Sequence, residues 1–495
     1  MPIPHSLRHI NLSSLGVSWP LLAAVVLGIG VLSGTTTWTL SDPDTQLHLA
    51  VGHWILGHQS VPSVDPFSYA MGGAPWIAHE WLAQCLMSVV YDLTGWTGLV
   101  FVTATSLALT LAYQLRFLLW RMPPIYALLC CTLAGSALAP HLLARPHVLA
   151  WPILAVWMGS LVNASEKNQS PPWWLLALMV LWANLHGSFT LGLALVLAVA
   201  PEAIFNSQPA NRRGTLRHWG VFFGLSLLAA MMTPSGWKGI WFTFQLLNLK
   251  YLNGISEWMP ASFMGFNPLE LWLLGLLALG FTGYLRLPIV RLLLVLGLLH
   301  QALAHARYVS IVGLLIPLLI ASLFGALYAS LSAGKRHASV LDRFFDKLAA
   351  PARRPAFAVA VALVLLTGFL TGQTGRHAPA AANSPKAAVD AALRAGAAGH
   401  VLNSDNFGGY LMSRGIPVFI DARADFYGNQ RVDAYATINE SNQPESIQKI
   451  LDDFHISWTL LRPSSGALLY LNTRTDWRKI HEDETAVVHI RQPPP

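Results

Sequence analysis

The chain has 495 residues, of which 54% are apolar and only 11% are charged, with a formal net charge of +7. Soluble domains carry about a quarter charged residues, so this composition excludes an ordinary water-soluble protein. The positive balance does not point to nucleic acid, because the basic residues sit in short segments between apolar runs and form no extended patch.

Eleven apolar runs approach the roughly 20 residues that cross a bilayer. They lie near 17–37, 96–115, 124–141, 146–162, 172–186, 188–204, 217–233, 268–285, 288–305, 308–330 and 355–372. The expectation is an α-helical polytopic membrane protein of about 11 transmembrane helices. The first run is preceded by Arg8 and lacks a small-residue cleavage signature, so it reads as a signal anchor. The fifth and sixth runs are short enough to form one broken helix. Residues 78–94 are marginal in length and carry His79, Glu80 and Asp92 at their ends, which suits a helix lying along the membrane face. The three cysteines, Cys85, Cys130 and Cys131, make neither a disulfide framework nor a metal site, and the latter two read as small apolar packing residues.

With the N-terminus in the cytoplasm, Arg116, Arg121, Lys167, Arg212, Arg213, Arg217, Arg286, Arg291 and the cluster from Lys335 to Arg354 all fall inside, as the positive-inside rule requires. The unusual polar clusters then share the opposite face: Asp42, Asp44 and His48, Arg145 with His147, Asn184 with His186, Glu257 with Trp258, and His305 with Arg307. Ionisable groups near bilayer ends are costly unless they pair or line a cavity, so this convergence predicts one polar cavity on the non-cytoplasmic side.

Composition changes after residue 372. From Gln373 to Pro495 the chain holds 25 of its 55 charged residues. Residues 1–372 are read as the membrane domain, with 38–95 as its first external loop. Residues 373–383 are read as an Ala/Gly/Pro-rich linker, and 384–495 as an external domain. In that tail the runs 400–403, 416–421 and 456–461 read as strands between helical patterns at 408–414 and 446–455, which gives a small α/β domain.

Asp44 is the leading candidate for chemistry. A helix beginning there carries a carboxylate at its N-terminus and His48 one turn on, and such a carboxylate serves as a general base if it reaches a hydroxyl. The bland alternative is a helix cap, a role assigned first to Asp42. Asp42, Asp44 and His48 are also residue types that bind a divalent metal such as Mg or Mn, although the sequence requires no cofactor. Arg145 and Arg307 stand where positive-inside bias disfavours cations, and a guanidinium fits phosphate oxygens in two-pronged geometry. The competing role for each is pairing with lipid head groups or with Glu257. His79 and Glu80 read equally as site border and interfacial cap. His147, Asn184 and His186 read as polar pocket or satisfied packing. Glu257-Trp258 suits a sugar or an interface. Asp65 with Pro66 and Ser68 reads as a turn, and Asp421 to Tyr427 as a lid over the cavity or a buried ion-pair turn.

The long first helix, the acidic loop with an Asp-x-Asp-like pair, the following amphipathic helix, the H-x-W-L motif at His79 to Leu82 and the ladder of spans resemble the GT-C superfamily of membrane glycosyltransferases. Its members include protein O-mannosyltransferases, lipid A aminoarabinose transferases and oligosaccharyltransferases. Asp44-Thr45 stands where mannosyltransferase-like members carry Asp-Glu, and His79-Glu80 where many carry His-Pro-Pro. The motifs W-A-N-L-H-G-S-F and F-I-D-A-R-A-D-F-Y-G resemble a subgroup of bacterial multi-pass proteins. The resemblance implies a sugar carried on polyprenyl phosphate, an acceptor that is a glycan, lipid or protein, and catalysis at the outer face of a bacterial inner membrane. Asp44 would be the base with Asp42 and His48 in support, and Arg145 or Arg307 the phosphate clamps. The alternatives are a lipid-linked glycan transporter, a hydrolase of lipid-phosphate sugars, and a non-catalytic scaffold for envelope polysaccharide assembly.

Overall fold

A computed structural model describes residues 16–34, 37–246, 256–332, 340–423, 425–428, 435 and 444–492. Helix α1, Trp19–Ser33, begins where the Ser18 hydroxyl accepts the Leu21 N–H and Pro20 fits the first turn, and it stops at Gly34. Helix α2, Asp44–His58, starts after Asp42, whose Oδ1 accepts the Asp44 N–H at 2.8 Å. Helix α3, Trp81–Leu119, breaks at Gly95, which has φ +63° and ψ −156°. That conformation is open to glycine and strained for other residues. Before the break α3 lies on α2, where the Ser88 hydroxyl donates to Leu49 O. After it, α3 meets α5, Pro146–Glu166, where the Ser106 hydroxyl donates to Val148 O. The segment expected along the membrane face is thus separated from the following span by a backbone break.

The other apolar runs form α4 Pro124–Leu138, α6 Leu175–Leu185, α7 Phe189–Asn206, α8 Arg212–Ala230, α10 Pro268–Phe281, α11 Ile289–Ala304, α12 Val309–Ser332 and α14 Arg354–Gln373. The shorter α9 Trp237–Leu246 and α13 Val340–Lys347 connect them. Among the described residues, six helical segments have the length and hydropathy to cross a bilayer, and the chain is a membrane protein. Helices α1, α6, α10 and α11 are apolar but shorter. The runs at 172–186 and 188–204 form two helices, because His186 takes an extended backbone (φ −163°, ψ 142°) that ends α6.

Arg291, read by sequence as a topology-setting cation, lies in α11 and is 3% exposed. Its Nε donates to Glu202 Oε1 at 2.9 Å, and its Nη2 donates to Glu166 Oε1 at 3.0 Å. Glu166 Oε2 also receives Arg121 at 3.3 Å, and Arg121 donates to Asn163 Oδ1 at 3.1 Å. Two guanidinium groups and two carboxylates balance, the condition under which charges persist in apolar surroundings.

The tail holds α15 Lys386–Arg394, β1 His400–Asn403, α16 Asp405–Ser413, α17 Pro444–Asp453, β2 Ile456–Leu461, α18 Ala467–Leu471, β3 Trp477–Glu482 and β4 Val487–Arg491. The sheet order is β1-β2-β4-β3. β1 and β2 are parallel and the other pairs antiparallel. The run 416–421, expected as a strand, stays out of the sheet. Asn403 meets its backbone instead, accepting from Phe419 N and donating to Ile420 O, while Val418 bridges the first loop at Ser68.

The tail shares its core with the first loop. Leu47, Val51, Ile55 and Trp76 pack with Phe407, Leu411 and Trp458. A Cβ on Gly409 would stand 2.7 Å from Leu47 N, so α16 approaches α2 as only a glycine permits. Arg423 locks the contact. It bonds Asp421 Oδ2 at 2.6 Å and Asp65 Oδ1 at 2.9 Å, both carboxylates fully buried, and lies over the Trp76 ring at 4.5 Å. Asp65 also accepts the N–H groups of Phe67 and Ser68, so it holds a turn and an ion pair together. Removing one partner of a buried pair leaves uncompensated charge. Arg423→Ala is therefore expected to destabilise the protein by about 3–5 kcal/mol. Thermal unfolding in detergent and faster proteolytic release of the tail check this, and an unchanged melting point would exclude the clamp.

Candidate active site

The site is built from segments far apart in sequence. Pro146 opens α5, which leaves Arg145 extended (φ −131°, ψ 158°) at the helix start. The neighbouring Ala144 is tied to the first loop twice: its N–H donates to Thr39 O at 2.7 Å, and its carbonyl accepts the Thr45 hydroxyl at 3.2 Å. This attachment carries the Arg145 guanidinium to the start of α2. There it meets Asp44 Oδ2 at 2.6 Å and Asp42 Oδ2 at 3.3 Å. On its other side Glu257 Oε2 stands at 3.7 Å. Glu257 Oε1 is 3.8 Å from Arg307, whose guanidinium lies 4.4 Å over the Trp258 ring. The His305 ring holds that turn by its Nδ1 contact with Trp258 O at 2.8 Å.

Arg145, Glu257, Trp258 and Arg307 line a cavity of about 210 Å³ together with His79, Glu80, His141, His147, His186 and Ser188, whereas Asp42 and Asp44 meet Arg145 outside that lining. Among the described residues, three carboxyl groups (Asp42, Asp44 and Glu257) face the Arg145 guanidinium, and Glu257 also faces Arg307. Burial pushes the Asp44 carboxyl up, Arg145 pulls it down, and Asp42, Glu257 and Glu80 push it up again, to about 8. Burial acts the same way on Glu257, but there Arg145 and Arg307 prevail and hold it below its ordinary value.

A second group sits beside the first. Glu80 precedes α3, and burial raises its carboxyl. His186 Nε2 stands 3.4 Å from it, His79 Nε2 3.8 Å and His48 Nδ1 3.9 Å. His79 packs on Phe242, and burial holds His186 neutral. Ser188 and Trp182 complete this group and were not singled out in the sequence. Ser188 lies two residues after His186, in the same motif.

Not every expected residue reaches the cavity. His48 is buried between α2 and α3, 3.3 Å from Gln84 Nε2, and faces Glu80 and not Asp42 or Asp44. Packing of α2 on α3 fixes that direction. The Asn184 amide is fully engaged between helices: it donates to Val180 O and Met232 O and accepts the Trp81 indole N–H at 2.7 Å. His147 lines the cavity and is anchored at 2.9 Å to His141 O. For a divalent metal the donor set does not fit. Asp42 and Asp44 are bonded to Arg145, His48 points elsewhere, and among the described residues no three His, Cys, Asp or Glu side chains converge as ligands.

The Asp44 proton has a measurable consequence. The native carboxyl titrates near 8 and the unfolded one near 3.8, so the folded state holds a proton that the unfolded chain releases between those values. Stability from this group is full below about pH 4 and is lost as pH rises through about 8. Asp44→Asn removes the titration. Its melting temperature is expected to fall less than that of the wild type between about pH 5 and 8, and parallel profiles would assign the proton to another carboxyl.

No family model matches the chain, and no curated protein matches it in sequence. Solved structures do resemble it. The archaeal oligosaccharyltransferase AglB from Archaeoglobus fulgidus, in complex with an inhibitory peptide and a dolichol-phosphate, superposes with a TM-score of 0.53 at 13% identity, over 90% of this chain and 69% of that one. The apo form of the Archaeoglobus fulgidus oligosaccharyltransferase gives 0.52 at 11% identity, over 89% and 69%. ArnT from Cupriavidus metallidurans, bound to undecaprenyl phosphate, gives 0.49 at 13% identity, over 95% and 97%. The likeness is one of fold: this chain shares the fold of these oligosaccharyltransferase structures over most of its length.

Proposed function

We propose that this protein transfers a sugar from a polyprenyl-phosphate carrier to a hydroxyl of an envelope acceptor, on the non-cytoplasmic face of a bacterial inner membrane. The observation that carries this reading is the Arg145 group. A guanidinium held by Asp44 and Asp42 at the rim of a buried cavity, with Arg307 across from it, is a phosphate clamp closed by the protein's own carboxylates. The fold it shares with an oligosaccharyltransferase solved with a dolichol-phosphate supports the same ligand class.

The chemistry follows from an exchange of anions. An incoming lipid phosphate competes with Asp42 and Asp44 for the Arg145 fork, and Arg307 supplies a second cation. Displaced from Arg145, Asp44 releases its proton to solvent and turns toward the bound sugar as a carboxylate. It takes the proton of the acceptor hydroxyl while that oxygen bonds to the anomeric carbon. The bond from the anomeric carbon to the phosphate oxygen breaks, and its electron pair leaves on polyprenyl phosphate, where the two guanidiniums stabilise the charge. Both the acceptor class (glycan, lipid or protein) and the sugar are open in this scheme, and no step uses a metal.

Purified protein incubated with a panel of polyprenyl-phosphate sugars and an envelope extract is expected to release free polyprenyl phosphate and label an acceptor. Asp44→Asn is expected to lower turnover by roughly 10²- to 10⁴-fold, and Arg145→Lys to raise KM for the donor. Survival of turnover in Asp44→Asn would move the base. Absence of release from every donor by folded protein would favour a transporter or scaffold. Sidedness has its own check: a cysteine at the exposed Leu469 is expected to react with an impermeant maleimide from outside the cell membrane. Reaction only after lysis would reverse the orientation.

A further inference from the structure

Glu80 has no part in the scheme above, yet its surroundings call for a ligand. Its side chain is 15% exposed and lines the cavity. Among the described residues none donates a hydrogen bond to its carboxyl. His186 Nε2 stands 3.4 Å from it and makes no hydrogen bond to it. A buried carboxyl without a donor is costly, and native proteins rarely leave one so.

His186 is fixed in one tautomer. The Ser188 N–H donates to its Nδ1 at 3.1 Å, and the Ser188 hydroxyl stands 2.8 Å from the same nitrogen. Nδ1 is therefore the unprotonated nitrogen, and Nε2 carries the ring proton beside Glu80. The Trp182 indole N–H donates to Ser188 Oγ at 2.9 Å, which leaves the serine proton for His186. Glu80 and His186 thus present one acceptor and one donor side by side. A hydroxyl group satisfies both at once. An ammonium satisfies Glu80 but opposes the His186 N–H, and a phosphate or carboxylate is repelled by Glu80.

We propose that Glu80 and His186 form a subsite for one hydroxyl of a sugar ring, with Ser188 and Trp182 as positioning residues that hold His186 in the required tautomer. This rests on the reading that the cavity handles a sugar, and the hydroxyl belongs either to the transferred sugar or to a carbohydrate acceptor. The test uses the full chain in lipid nanodiscs and saturation-transfer NMR with methyl glycosides of glucose, galactose and mannose, their monodeoxy analogues and their amino analogues. At least one parent glycoside is expected to bind, and deletion of one hydroxyl to weaken it about 10- to 100-fold. In Glu80→Gln and in Ser188→Ala that discrimination is expected to shrink, a readout that loss of a purely structural contact does not move.

The deoxy ligands need no altered protein, so misfolding of a variant does not blunt the test. Equal binding of parent and deoxy sugars, preference for the amine, no binding of any glycoside, or discrimination unchanged in Glu80→Gln each overturns the subsite. Kinetics separate the two sources: a raised KM for the lipid-linked donor in Glu80→Gln assigns the transferred sugar, and a raised KM for the acceptor assigns the acceptor. Discrimination without turnover of any donor sinks the transferase reading and keeps the subsite. Turnover without discrimination does the reverse.

Discussion

The Arg145 guanidinium is the interaction on which the rest of the site depends. It is the point where the first loop, the start of α5 and the turn at Glu257 meet. Burying a guanidinium costs several kcal/mol, and only close carboxylates offset that cost. Here the carboxylates outnumber it, so the group is held together by attraction to the cation and strained by repulsion among the acids. In the proposed function, an anion that takes the guanidinium removes the attraction that offsets this repulsion.

The sequence made some of this legible for a physical reason. Charge bias in the loops sets which side each loop occupies, and that alone brings Asp42, Asp44, Arg145, Glu257 and Arg307 to one face. It does not say which way a side chain turns. His48 is one helical turn from Asp44, but the packing of α2 on α3 directs it to Gln84 and Glu80. Arg291 has the composition of a loop cation, yet Glu202 and Glu166 draw it into the bundle, and no local pattern records a partner 89 residues away. Strand β3 escaped notice because W-R-K-I-H-E has one buried residue in six and lacks an apolar run. The run 416–421 has that apolar run but is bonded by an asparagine side chain and the first loop.

The break in charge density near residue 372 divides the chain by composition, whereas packing joins what composition divides. The first loop and the tail form one hydrophobic core, closed by Arg423 between Asp65 and Asp421. The segment between α14 and α15 lies along the first loop, with Ala380 N donating to Leu40 O and the Asn383 amide to Ser41 O. Through residues 65–81 this core supports His79 and Glu80 from behind. The tail therefore belongs to the scaffold of the cavity as much as any membrane helix does.

Helix α5 gives this scaffold a fixed length. Arg145 precedes its first residue and Glu166 is its last, so its 21 residues hold the two ionic clusters about 30 Å apart, the thickness of a bilayer's hydrocarbon core. Neither cluster enters hydrocarbon without loss, and α5 does not stretch. The surrounding lipid thereby becomes a mechanical variable of the site. Longer acyl chains press both clusters toward the apolar slab, and shorter ones thin the bilayer or tilt the helix. Lipid thickness thus bears on the geometry around Arg145 through the fixed length of α5.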